Sequence, residues 1–192
     1  QGAVVDEKGR KAFYRTLNIA VDAICEAWEK RCNTDVYYNT GVEERISFNR
    51  DYYLSDGRIV TNPNFFLGQI VSPISPIDNT ISTLRFVDEN GKTLGHIVNF
   101  ACHCDTIFST DYKYCADYPG ELGRFLKEKY GQDSVLVFLC GCSGNLNHID
   151  FFAWQEKGEY PHDEETHHTK MGKILFDDIA ELDRTAEKMK DK

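Results

Sequence analysis

The chain has 192 residues, 41% of them hydrophobic and 28% charged, with a formal net charge of −9. These are the proportions of a soluble globular protein long enough to bury a sizeable core. The acidic balance, without any basic run, excludes a nucleic-acid footprint, and no apolar stretch approaches the roughly 20 residues that span a bilayer. No signal peptide is visible in the sequence. The seven cysteines are an odd count, and four fall in the pairs Cys102-x-Cys104 and Cys140-x-Cys142. A secreted disulfide scaffold shows an even, spread framework instead. A reducing cytoplasm is therefore the expected compartment, with export as the alternative. Gln1 is not a natural start, so the chain is expected to be a processed or trimmed piece.

Residues 9–32 read as an amphipathic helix that packs on a sheet, because Phe13, Leu17, Ala20, Ile24 and Trp28 recur at three- and four-residue spacing. From Asp35 to Arg50 the pattern turns β-like, in Val36-Tyr37-Tyr38 and Ile46-Ser47-Phe48. A polar, aromatic loop is expected through Asp56-Gly57 to Phe65. The stretch from Leu67 to Asp78 holds two prolines and reads as an extended connection. A hairpin follows, with strands over Thr80–Val87 and Leu94–Ala101 joined at Asn90-Gly91. Pro119 opens a helix that runs to Tyr130 and closes at Gly131, and residues 134–140 form the next strand. This strand–loop–helix–strand unit predicts a parallel crossover. Residues 151–168 read as irregular, and a last helix is expected from about Thr169 to Lys188. The expected fold is α/β, a mixed β-sheet covered by at least three helices, with residues 1–192 as one domain.

Two stretches stand out for chemistry. Ile97-Val98-Asn99-Phe100-Ala101 is an apolar strand that runs out into Cys102-His103-Cys104, and Val135 to Cys140 runs out into Gly141-Cys142-Ser143-Gly144-Asn145. Ligand sites in open α/β sheets collect at such strand exits. A histidine there suits a zinc ion or a structural hydrogen bond. A Gly-rich turn can offer backbone N–H groups to an anion or a carbonyl oxygen. This turn is neither a phosphate loop nor a Gly-x-Ser-x-Gly elbow.

The ordered set Asn49-Arg50, Thr61-Asn62-Pro63, Asn99-Phe100-Ala101-Cys102-His103, Cys115-Ala116-Asp117-Tyr118-Pro119-Gly120 and Gly141-x-x-Gly144-Asn145-x-Asn147 resembles the catalytic domain of the neutral/alkaline ceramidase family. The likeness runs from about residue 40 to 150 and is nearest to the ceramidase-like bacterial branch. It implies that the chain is part of a larger α/β catalytic domain and of a zinc-dependent amide hydrolase. It also implies a small-molecule or lipid amide as substrate, as in sphingolipid metabolism. By the same resemblance His103 is a ligand of a catalytic zinc, Arg50 contacts the substrate's polar head, and Gly144 and Asn147 lie in the catalytic loop, helping to stabilise the oxyanion. The family's zinc takes a further histidine from an earlier His-x-His segment and a Glu and a Tyr from later. No histidine precedes residue 40 here, so those ligands belong to missing parts of the domain. This piece alone is then expected to be inactive and to hold zinc weakly or not at all.

Two positions depart from the family. Asn147 stands where ceramidases carry a serine needed for hydrolysis, and His148 stands where they carry proline. An Asn side chain cannot become a useful alkoxide, which leaves metal-activated water as the attacking group in this reading. A pseudo-enzyme that kept the fold is one competing reading. A binding domain whose two Cys-x-Cys loops hold a structural zinc is another, although that spacing is tighter than the usual two to four intervening residues.

Overall fold

Asp6 opens the first helix, α1 (Glu7–Glu29): its carboxylate accepts the Gly9 N–H at 2.7 Å. The computed structural model describes residues 6–107, 114–160 and 166–190. The chain divides into two compact units, Gln1–Asn33 and Thr34–Lys192. In the first, the three- and four-residue apolar spacing produces the expected helix. None of its residues is buried, and Phe13, Ile24 and Trp28 are each more than 60% exposed.

The second unit runs β1 (Asp35–Val42), β2 (Phe48–Asn49), β3 (Asp51–Leu54), β4 (Ile59–Thr61), β5 (Ile70–Pro73), β6 (Thr80–Val87), β7 (Thr93–Phe100), α2 (Asp117–Tyr130), β8 (Val135–Cys140), β9 (Leu146–Asn147), α3 (Phe151–Lys157), α4 (His167–Thr185) and β10 (Glu187–Lys188). Its main sheet has the order β10-β1-β6-β7-β8. The Asn90-Gly91 turn joins β6 to β7, with Gly91 at φ 79°, a left-handed conformation that costs glycine little. All pairs in this sheet are antiparallel except β7 with β8, which are parallel from Gly95↔Val135 to Phe100↔Cys140. The crossover through α2 is therefore present, and the fold is α/β with a mixed sheet.

One face of that sheet carries the core. Ile81, Val98 and Phe100 meet Leu122 and Leu126 of α2 and Met171, Leu175 and Ile179 of α4, all fully or almost fully buried. Gly172 lets the two helices approach: a Cβ there would stand 2.6 Å from Glu121 Cβ and 2.9 Å from Leu122 N. On β8 the alternation leaves Val135, Val137 and Leu139 exposed on the other side.

Three expectations are corrected. The loop expected from residue 51 to 65 contains the hairpin β3–β4, turned at Asp56-Gly57, where Leu54 N–H donates to Arg58 O at 2.9 Å. The connection expected from Leu67 to Asp78 contains β5, which pairs with β3 and carries Pro73 on the free edge of a three-stranded sheet. The irregular stretch expected from residue 151 contains α3, capped by Asp150, whose side chain accepts from Ala153 N–H at 2.9 Å, and ended by left-handed Gly158. Buried Phe151 joins Tyr52, Leu54, Ile70 and Ile149 in a second core. Among the described residues, no helix is long and apolar enough to cross a membrane.

Candidate active site

The exit of β7 is held from three sides. Gly141 N–H donates to Phe100 O at 3.0 Å, Ser47 Oγ to Ala101 O at 2.7 Å, and Tyr118 OH to Cys102 O at 2.8 Å. A Cβ on Gly141 would meet Ala101 Cβ at 2.9 Å, so this close approach of the two strand exits needs a glycine. His103 is half-buried at the end of this clamped stretch. Three residues on, Thr106 donates from its N–H (2.9 Å) and its hydroxyl (2.8 Å) to the buried carboxylate of Asp117 at the start of α2. Asp117 also accepts the Tyr118 N–H at 2.7 Å and adopts φ 53°, a left-handed conformation uncommon outside glycine. The loop carrying His103 and Asp105 is thus fastened at both ends.

A second wall comes from distant parts of the chain. β2 pairs with β9, setting Phe48 opposite Asn147 and Asn49 opposite Leu146. Beyond that pairing Arg50 N–H donates to Asn145 O at 2.9 Å, and Asn62 N–H to Arg50 O at 2.7 Å. Asn147 Nδ2 donates to Asn62 Oδ1 at 2.8 Å, while its Oδ1 accepts the Ile149 N–H at 3.1 Å. Asn62 is the other non-glycine residue at positive φ, 50°.

His148 is buried, with Nδ1 3.5 Å from Asp105 Oδ1 and its ring 5.1 Å from that of His167. The hydrogen bond with His148 holds the Asp105 carboxyl below the usual carboxylate range against the opposing effect of partial burial, and the nearby positive charges of His103 and Arg50 act the same way. Four groups singled out by their chemistry therefore share one electrostatic neighbourhood. A cavity of about 470 Å³ is lined by the polar Asn62, Asn64, Asp105, Asn147 and His148 together with the apolar and aromatic Ile149, Phe151, Trp154 and Tyr160.

Of the residues singled out in the sequence, Asn147 lines this cavity, and His103 and Arg50 act electrostatically on Asp105, which also lines it. Arg50 Nε is buried with no hydrogen-bond partner among the described residues. Gly144 is different: it is exposed on a turn with nothing within 4 Å of where a Cβ would stand. His162 lies outside the described residues. Asp105, Asn64, Trp154 and Tyr160 were not legible as site residues. The nearest sequence signals were the position of Asp105 two residues after His103 and the Asp150…Gly158 cap pair that turns Trp154 onto a helix.

Among the described residues, no three His, Cys, Asp or Glu side chains are grouped so that they could hold a metal ion. The side chains present thus offer His103 alone toward the zinc that the resemblance implies, which is too few for a closed site. The cysteines are otherwise engaged: Cys102 Sγ donates to Ile46 O at 3.6 Å and Cys140 Sγ to Cys102 O at 3.3 Å. Burial pushes the Cys102 thiol up to about 12 and raises that of Cys104.

No protein-family profile matches the chain, and no curated protein matches it in sequence. Solved structures do match in fold. The neutral ceramidase from Pseudomonas aeruginosa aligns with a TM-score of 0.61 and 20% identity, over 84% of this chain and 24% of that one. A ceramidase complexed with C2 aligns at 0.56 and 22% identity, over 78% and 22%. The fold is thus ceramidase-like, and the chain spans about a quarter of the length of these neighbours.

Proposed function

We propose that this chain is part of a ceramidase-like hydrolase that cleaves an N-acyl amide, a small-molecule or lipid substrate, with zinc as the cofactor of the complete protein. The observation that carries this reading is a cavity, in a ceramidase-like fold, lined by Asn147, Asp105 and aromatic side chains, with Arg50 and His103 acting electrostatically on Asp105. A buried guanidinium N–H without a protein partner favours an acceptor supplied by a ligand, which supports Arg50 as the residue that meets the substrate's polar head. The side-chain amide of Asn147, oriented by Asn62 and Ile149, is suited to hydrogen-bond a substrate carbonyl, with the peptide N–H of Gly144 as a second candidate donor. Asn147 has no nucleophilic oxygen to offer, so the attacking group in this reading is water. His103 would be one zinc ligand, and the rest would come from outside the residues described. In this reading the chain alone is inactive.

The test is metal content and turnover on the longest natural form of the protein, loaded with zinc and given a panel of N-acyl amides. Release of free carboxylic acid, lost in Arg50→Ala and in His103→Ala, is expected. A zinc-loaded protein that cleaves none of the panel would leave a pseudo-enzyme as the better reading.

A further inference from the structure

We infer, resting on the amide-hydrolase reading, that the substrate is a compact N-acyl amine built on a hydroxylated ring, as in an N-acylated amino sugar, rather than a two-chain lipid. Size is the first reason. A space of about 470 Å³ lies in the range that encloses a small organic molecule, about 300–1,000 Å³.

Wall chemistry is the second. Trp154 and Tyr160 meet edge to face, with centroids 4.9 Å apart and planes at 83°, and so form a rigid aromatic corner. Phe151 stacks against Trp154 at 5.8 Å and 21°, and being buried it fixes the indole in place. A flat ring with C–H groups on its face fits such a corner, while a flexible chain loses more conformational freedom on being ordered there.

The polar part of the lining suits hydroxyls. Asn62, Asn64 and Asn147 bring neutral amides, and each amide both donates and accepts, as a hydroxyl does. The Asn62–Asn147 bond orients two of the three. The one wall carboxylate, Asp105, already faces His148 at 3.5 Å, which removes the main reason to expect a cationic ligand.

The chain has two tryptophans, so a Trp28→Phe background leaves Trp154 as the sole indole reporter in the cavity. Its fluorescence would be titrated with N-acetylglucosamine, with N-cyclohexylacetamide as the ring without hydroxyls, and with a short-chain N-acyl sphingosine. Saturable binding of the sugar, about tenfold or more tighter than the cyclohexyl analogue, is expected, because a site that hydrogen-bonds hydroxyls rejects ligands lacking them. Asn64→Ala, at an exposed position that leaves the core intact, should weaken the sugar about tenfold, and Tyr160→Leu should do the same from the aromatic part of the lining. The inference is overturned if the sugar produces no saturable change, if the cyclohexyl analogue binds as well, or if the sphingosine amide binds better. Turnover separates this from the reading beneath it. Sugar binding without hydrolysis of any N-acyl amide would sink the hydrolase reading alone, whereas hydrolysis of the sphingosine amide without sugar binding would sink the ring class alone.

Discussion

Asn147 and Asn62 are joined side chain to side chain, Nδ2 to Oδ1 at 2.8 Å, across 85 positions of the chain. Asn147 uses its other side-chain atom to accept the Ile149 N–H, so its amide is held from both sides with one N–H left to donate. Asn147→Ala is expected to cost about 1–3 kcal/mol, since it strands a buried N–H and an acceptor together. Asn62→Gly removes the same bond while suiting the φ of 50°. In a double-mutant cycle followed by urea unfolding, the two changes should couple by about 0.5–3 kcal/mol. Strict additivity would show that the bond contributes nothing to the folded state.

Asp117 is expected to act on the site through structure. Its carboxylate takes two bonds from Thr106 and one from Tyr118, so Asp117→Ala should destabilise by roughly 2–3 kcal/mol, as for hydrogen bonds to a charged group. Thr106→Val tests the same clamp from its partner and should cost less, because the backbone N–H bond survives. Thermal unfolding of both variants decides it. A wild-type midpoint in Asp117→Ala would mean that the loop carrying His103 and Asp105 is held by something else.

Gly172 reverses an ordinary expectation. Alanine in place of glycine inside a helix usually stabilises by about 1 kcal/mol. Here the new methyl would press on Glu121 Cβ at 2.6 Å and on the backbone of α2 at 2.9 Å, and overpacking of that kind costs about 1–3 kcal/mol. Gly172→Ala should therefore lower the melting temperature, and a rise would show that α2 and α4 can part without penalty.

Asp178 sets a pH dependence. Burial, together with a hydrogen bond to the buried carboxyl of Glu43, pushes its carboxyl up to about 6, against the opposing effect of Arg45 at 2.8 Å. A carboxyl whose folded pKa is raised binds its proton more tightly in the folded state. Stability is therefore gained as pH falls from above 6 toward the unfolded value of about 3.9. Asp178→Asn should stabilise the protein by about 1 kcal/mol at pH 7.5 once solvent screening is allowed for, and the gain should vanish near pH 4. Urea midpoints measured across that range test the sign. A variant less stable than wild type at pH 7.5 would mean that the Arg45 contact outweighs the repulsion.

The frame of the fold was legible because its signals are local. Asn90-Gly91 announces the hairpin, and the apolar runs before His103 and Gly141 announce β7 and β8. The elements that escaped are short ones whose stability comes from outside them. α3 spans seven residues and is rich in aromatics rather than periodic, so only its caps mark it. β5 exists because β3 lies beside it. The cavity escaped for the same reason. Asp105 and Trp154 become neighbours of Asn147 only through packing, which no spacing in the chain records. Arg50, His103 and Asn147 were found through a family likeness, and without it the strand exits would have suggested His103 alone.

The β2–β9 ladder has only two residue pairs, yet it draws together Phe48 and Asn147 across about half of the chain. Closing so long a loop costs entropy that these few bonds repay only after the main sheet is built. The cavity should therefore be among the last features to appear during folding and among the first to open in the native state. Slowed hydrogen exchange at the Asn49 and Asn147 amides would then serve as a sensor of occupancy, because a ligand held by Asn147, which lines the cavity, favours the paired state of its strand.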